Sequence, residues 1–198
     1  VDSSYLAYIA KKAGLRPLAV HVDAGWNSEL AVKNIENIVK KLDIDLYTCV
    51  INWEEMRDLQ LAFLRSGVAN QDTPQDHAFF AALYGFAIKE NIKYVLSGSN
   101  NSTEYILPTA WGYDAMDSIH IKAIHKRFGK KKLKTFPFVN FFDLYINYRY
   151  IKKMKVVAPL NYLPYNKNEA IKILEQELDW RYYGGKHYES RFTKFFQG

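Results

Sequence analysis

Pro17-Leu18-Ala19-Val20-His21-Val22-Asp23-Ala24-Gly25 is a short, mostly apolar run ending in a carboxylate and a glycine. That is the pattern of a buried parallel strand running into a polar loop. Ahead of it, residues 3–13 place Leu6, Ile9, Ala10 and Ala13 on one face and stop at Gly14, as an amphipathic helix does. Behind it, Ser28–Leu42 turns Leu30, Ile35, Ile38, Val39 and Leu42 inward and Lys33, Lys40 and Lys41 outward. Asp45–Ile51 reads as the next strand, Glu54–Ser66 as a helix and Gln71–Gln75 as a turn around Pro74. Asp76–Asn91 reads as a long helix and Lys93–Ser97 as a further strand, followed by Gly98-Ser99-Asn100-Asn101. Strand alternating with helix at this spacing predicts an α/β fold, a Rossmann-like parallel sheet with helices on both faces.

The rest of the chain is less regular. Tyr105–Ile124 is aromatic and mixed, and Phe136–Tyr150 is heavily aromatic and helical towards its end. Lys155–Ala158 before Pro159 reads as a last strand, and Asn168–Leu178 as an amphipathic helix with Ala170, Ile171, Leu174 and Leu178 inward.

A chain of 198 residues with 48% hydrophobic and 24% charged residues suits one globular core with an appended lobe. Aromatics reach 16%, including 15 Tyr and 12 Phe, a surplus that serves a pocket, an interface or plain packing. The single cysteine, Cys49, excludes an internal disulfide framework and a zinc site built on cysteines of this sequence. Lying in the apolar run Leu46–Ile51, it reads as a strand residue and not as a reactive thiol. No apolar run has the length of a membrane span and no signal peptide is visible, so a cytoplasmic protein is the default. The net charge of +6 owes much to Lys126, Arg127, Lys130, Lys131, Lys132 and Lys134. Without an accompanying nucleic-acid motif, this run reads as a solvated loop or a partner contact before it reads as a nucleic-acid site.

In parallel α/β sheets, ligands bind at the carboxyl ends of the strands. Polar segments fall there at Asp23–Asn27 and at Ser97–Glu104. Asp2-Ser3-Ser4, at the start of the first helix, would join them if a strand preceded Val1. Taken alone, Asp2-Ser3-Ser4 is an ordinary helix cap. Taken with the other two segments, it favours a phosphate site: hydroxyls of Ser3 and Ser4 and helix amides face the anion, and Asp2 holds Mg2+. Gly98 permits close backbone approach. Glu104 is placed to share a metal with Asp2 or to bind a separate one; it also suits the first turn of a helix capped by Ser102, and the two readings are compatible. Gly184-Gly185 makes a turn before Lys186, His187, Glu189 and Arg191, a cationic segment that would close over phosphates or form an exposed tail.

Together, Asp2-Ser3-Ser4, His21-Val22-Asp23-Ala24-Gly25, Gln71-Asp72-Thr73-Pro74, Leu96-Ser97-Gly98-Ser99-Asn100 and Gly184-Gly185-Lys186-His187-Tyr188-Glu189-Ser190-Arg191-Phe192 resemble the N-acetyl sugar amidotransferases of surface-polysaccharide (lipopolysaccharide O-antigen) biosynthesis. These belong to the PP-loop ATP pyrophosphatases, of the adenine nucleotide α-hydrolase-like (HUP) group. The resemblance spans essentially the whole chain, and the Gly-Gly-Lys-His run is its most diagnostic part. It implies a Ser-Gly-Gly and a first strand upstream of residue 1, with a cysteine-rich, metal-binding segment before them and further chain beyond residue 198. It divides this sequence into a PP-loop domain over 1–158, with a mixed aromatic insertion at about 105–150, and a C-terminal helix-and-loop segment over 159–198.

The activity implied is ATP-dependent. The acetamido oxygen of a nucleotide-linked N-acetyl sugar is adenylated with loss of pyrophosphate, ammonia attacks the activated carbon, and AMP leaves an acetamidino sugar. The cofactors implied are ATP and Mg2+. Asp2 and Glu104 are the implied metal ligands, Asp2 and Lys186 the catalytic residues, and Ser3, Ser4, Val22, Asp23, Ser97, Gly98 and Asn100 the nucleotide contacts. The sugar side is assigned to Gln71, Asp72, His77, His187, Glu189 and Arg191, joined by Trp111 and Tyr113, for which a core role is an equal reading. No Cys–His glutaminase pair is visible, so the resemblance implies a separate glutaminase and a cyclase-like ammonia-conducting partner; a homo-oligomer stays open. Two alternatives remain at this stage. A tRNA-modifying PP-loop enzyme fits the basic loop but lacks a well-placed sulfur-transfer cysteine. A non-catalytic nucleotide-binding domain has no need of Lys186, Glu189 and Arg191.

Overall fold

The computed structural model describes residues 1–101, 114–185 and 188–197. The first helix, α1, spans Asp2–Lys12. It leads through Gly14, at φ +77°, into β1 (Leu18–Asp23). The crossover helix α2 (Glu29–Leu42) starts where the Ser28 side chain accepts the Ala31 N–H at 3.1 Å and ends at Asp43, in the left-handed region at φ 48°. β2 (Asp45–Val50) then pairs with β1 in parallel, from Leu18 opposite Asp45 to Asp23 opposite Val50. α3 (Trp53–Ser66) is capped by the Asn52 side chain and stops at Gly67, φ +67°.

Helix α4 covers Thr73–Lys89. Of the turn expected over Gln71–Gln75, Gln71 and Asp72 form a turn and Thr73–Gln75 already belong to the helix. Pro74 sits in the first turn, where the missing N–H costs no hydrogen bond and the fixed φ suits the helix. β3 (Tyr94–Leu96) and β4 (Lys155–Val157) form a second parallel pair, Tyr94 opposite Lys155 and Leu96 opposite Val157. Between them lie α5 (Ser118–Phe128) and a π-helical segment, Asp143–Ile151, in the aromatic stretch expected to be helical. A 3-10 turn at Pro159–Asn161 leads to α6 (Lys167–Leu178), and α7 (Arg191–Gln197) follows.

The one continuous sheet expected from the sequence is not what the described residues form. Their strands make two separate two-stranded parallel sheets, β1–β2 and β3–β4. Packing, not strand pairing, ties the two together. α4 is apolar around its whole circumference, as a helix buried on several sides must be. Its Ala78 and Ala82 join Val22, Ala24, Ile51, Met56, Leu59 and Phe63 in one core. Its Tyr84 and Ala87 join Val95 and Met154 in another. The opposite face of β1 is covered too. Ala19, Tyr5, Tyr8, Ile38 and Leu42 pack with Leu174, Leu178 and Trp180, so α1, α2 and α6 share a core. Successive strand side chains point to opposite faces, which sends Val20 and Val22 to one layer and Ala19 to the other. The fold is mixed α/β with small parallel sheets.

Candidate functional site

α1 begins against the loop that follows β3. A Cβ placed on Gly98 would stand 2.8 Å from the Ser3 backbone nitrogen and 3.0 Å from the Asp2 carbonyl carbon. No side chain fits there. The close approach expected of Gly98 is thus an approach to the first peptide of α1. The loop itself is tightly bonded: the Ser97 N–H donates to the Val157 carbonyl at 2.8 Å, the Ser99 N–H to Ser97 Oγ at 3.2 Å, and the two hydroxyls lie 2.8 Å apart.

Around this junction lies a cavity of about 360 Å3. Asp2 and Ser3, Ser97–Ser99, and Gly185 with Glu189 line its polar side, joined by Lys167. Phe80, Leu83, Tyr84, Val95 and Val156 supply apolar wall. Tyr182 and Tyr183 line it as well, and burial pushes the Tyr183 phenol above its ordinary pKa, so it stays protonated. Three segments singled out in the sequence therefore meet at one place. The Asp2 carboxylate accepts a hydrogen bond from the Tyr165 hydroxyl. Neither Tyr165 nor Lys167 carried any motif; the only sequence signal nearby is Asn166, whose side chain caps α6 by accepting the Asn168 N–H at 2.9 Å.

Other expected site residues lie elsewhere. Ser4 is half-buried and off the cavity wall. Val22 points its side chain into the core beside Met56 and Phe63. Asp23 Oδ1 accepts the Gly25 N–H at 2.8 Å and one N–H of the Asn27 amide at 3.0 Å. The Asn27 amide also reaches His21 Nε2 at 3.2 Å, which requires a neutral imidazole accepting there. Burial does lower the His21 pKa, against a smaller opposing pull from Asp23. Asn100 is buried and bonds within its own loop, Nδ2 to the Gly98 carbonyl at 3.4 Å.

Asp23–Ser28 does meet the C-terminal run. Asn27 bridges Ser190 in antiparallel fashion, the Ser28 N–H donates to the Glu189 carbonyl and the Arg191 N–H to the Trp26 carbonyl. The Trp26 ring packs between Trp53 and Phe192. Asp72 belongs to the same contact: its carboxylate accepts from the Thr193 hydroxyl at 3.2 Å. The C-terminal run is therefore docked on the β1 loop and α4, not left as an exposed tail. Gln71 is buried away from the cavity; its Nε2 donates to the Val68 carbonyl and its Oε1 has no partner among the described residues.

Two residues expected on the sugar side are engaged elsewhere. His77 is fully buried, its Nδ1–H donates to the Ala115 carbonyl at 2.8 Å, and its Nε2 accepts the Val139 N–H at 3.2 Å. Both nitrogens are used on backbone, and burial holds the pKa low, so this is a neutral structural histidine. Arg191 does not reach the cavity wall; its guanidinium lies 3.7 Å from Glu29 at the surface. Glu104, Trp111, Tyr113, Lys186 and His187 lie outside the described residues.

Sequence reasoning also missed how the basic loop is held. Burial raises the carboxyls of Glu55 and Asp58, but backbone amides more than offset that and leave both pKa values below the usual range. Glu55 accepts the N–H groups of Lys134, Thr135 and Phe136, and Asp58 those of Lys130 and Lys131 as well as the His125 ring. Cys49 is half-buried beside the core, and burial raises its thiol pKa, in keeping with a strand residue.

Among the described residues no cluster of three or more His, Cys, Asp and Glu side chains could cage a metal ion. The donor set that is present, Asp2 with neighbouring hydroxyls at an open cavity, suits Mg2+, which is commonly held by one or two carboxylates together with substrate phosphates. Compared with known proteins, the chain matches no family model and no curated protein.

Proposed function

We propose that this chain is the ATP-binding part of a PP-loop amidotransferase of the Rossmann-like HUP type. The observation that carries the reading is the cavity of about 360 Å3 lined by Asp2 and Ser3, Ser97–Ser99, Gly185 and Glu189. Its size falls within the roughly 300–1,000 Å3 of small-molecule sites. Its walls suit a nucleotide: hydroxyls and helix amides for phosphate, apolar and aromatic surface for a ring.

In this reading the acetamido oxygen of a nucleotide-linked N-acetyl sugar attacks the α-phosphorus of ATP, and pyrophosphate departs with the bond electrons. Ammonia then adds to the activated carbon, a proton is lost, and AMP leaves with the former acetamido oxygen. Mg2+ supplies counter-charge to the phosphates. Asp2 is the residue that would hold it, with Glu104 assigned alongside. Ser3 and the Ser97–Ser99 loop hold phosphate oxygens, and Lys186 opposes the charge developing on pyrophosphate. Cys49 lies half-buried on β2 beside the core. In this reading ammonia comes from a separate glutaminase through a cyclase-like partner, in the cytoplasm. Among the described residues no helix is long and apolar enough to cross a membrane.

The clamped basic loop favours one second reading, a tRNA-modifying PP-loop enzyme, because a fixed lysine-rich edge attracts phosphate backbone. Full-length protein with Mg-ATP, ammonium and either N-acetyl sugar nucleotides or tRNA separates the two. AMP and pyrophosphate formed only with the sugar nucleotide support the amidotransferase, and formation only with tRNA supports the second reading. No nucleotide cleavage with either overturns both.

A further inference from the structure

The segment Tyr165-Asn166-Lys167 reaches the cavity from the far end of the sequence. Tyr165 and Asp2 are 163 positions apart. The phenol donates to Asp2 Oδ1, and the Tyr165 ring packs 5.7 Å from the Tyr5 ring on the same helix as Asp2. Asn166 spends its side-chain oxygen on the first amides of α6. Lys167, the first residue of α6, is half-buried on the cavity wall and has no hydrogen-bond or ion-pair partner among the described residues. Its backbone is fixed: α6 buries Leu174 and Leu178 in the core it shares with α1 and α2.

Two carboxylates, Asp2 and Glu189, line the same cavity, yet the ammonium pairs with neither. Asp2 instead takes the Tyr165 hydroxyl. A lysine on a concave, partly apolar wall feels little solvent screening and a strong pull towards any anion that enters. The arrangement therefore keeps opposite charges apart around one space. A ligand that presents anionic oxygens to the lysine and a bound cation to the carboxylate satisfies both at once. A magnesium-complexed di- or triphosphate is such a ligand.

We propose that Tyr165 and Lys167 complete the phosphate end of this site, Lys167 as the counter-charge to the β- and γ-phosphates and Tyr165 as a positioning residue that fixes the Asp2 carboxylate. The inference deepens the nucleotide reading above and rests on it. Lysine suits the task as a compact point charge on a flexible stem.

Titration calorimetry on the full-length protein tests it with inorganic pyrophosphate, Mg-ATP and adenosine as probes. Lys167→Met is expected to weaken pyrophosphate and Mg-ATP about tenfold or more, the scale of one charge-assisted contact, and to leave adenosine unchanged. Lys167→Arg is expected to recover most of the loss. Tyr165→Phe is expected to raise severalfold the Mg2+ concentration needed for half-maximal ATP binding while pyrophosphate without metal binds as before. Pyrophosphate and Mg-ATP affinities unchanged in Lys167→Met overturn the inference and leave the nucleotide reading standing. An equal loss for adenosine, or no recovery with arginine, also overturns it, since the residue would then serve packing. Failure of the unaltered protein to bind pyrophosphate or ATP removes the nucleotide reading itself.

Discussion

Gly98 and Ser3 touch backbone to backbone: the space a Cβ would take at Gly98 lies 2.8 Å from the Ser3 nitrogen. The obstacle is main chain at the start of a packed helix, so it cannot swing aside. Gly98→Ala should force α1 and the β3 loop apart. Overpacking of this kind costs about 1–3 kcal/mol, and the affected segments are the ones that line the cavity. The expected outcome is a lower melting temperature together with weakened Mg-ATP binding, read by calorimetry. An alanine variant as stable and as tight-binding as the parent would show that the contact does not hold the site.

His77 gives the opposite separation. Replacing it by Phe strands the Val139 N–H and the Ala115 carbonyl, which the imidazole now satisfies. Each buried group left unpaired costs about 1–3 kcal/mol. Stability should fall by that order in denaturant titration, and nucleotide affinity of the folded fraction should not change. A selective loss of affinity without loss of stability would return His77 to the site.

The loop at 130–136 should come loose in acid. Glu55 and Asp58 have folded pKa values below their unfolded ones. For such groups the unfolded chain binds protons first as pH falls. Their stabilisation is complete above the unfolded carboxyl pKa of about 4 and is lost as pH drops through the lower folded values. Asp58→Asn removes one side of the clamp and leaves the Lys130 and Lys131 amides facing a neutral acceptor. A loss of about 1.5–3 kcal/mol is expected at pH 7, the worth of hydrogen bonds to a charged group, and a smaller one at pH 3, below the unfolded carboxyl pKa of about 4. Equal destabilisation of Asp58→Asn at both pH values would contradict the charge-based clamp.

Much of the local structure can be read from the sequence because its causes are local. Ser28, Asn52 and Asn166 cap the helices they precede, Gly14 and Gly67 take left-handed turns, and β1 and β2 form over the apolar runs read as strands, although β1 buries only Val22 and β2 buries no residue. Pro74 marks a turn in the sequence, and in the structure it opens a helix. The split of the strands into two pairs follows from packing across α4, between residues distant in the chain. The site divides the same way. Asp2, Ser3 and Ser97–Ser99, each marked by a local polar motif, line one cavity, but Tyr165 and Lys167 gain their places only through α6 packing on α1. Glu55 and Asp58 look in sequence like ordinary solvated helix carboxylates, and only the returning chain some 70–80 positions later makes them buried acceptors. His77 stands in a helix of alanines and aromatics, and that setting was the available signal for a core role.

The central claim is that nucleotide binds where the start of α1 meets the loop after β3. Amide hydrogen exchange of the full-length protein, with and without saturating Mg-ATP, tests this most directly. Slowed exchange is predicted in the first turn of α1, from Ser3 to Leu6, and at Ser97–Ser99. Unchanged exchange in both segments, at an ATP concentration shown to saturate the protein, would contradict the account.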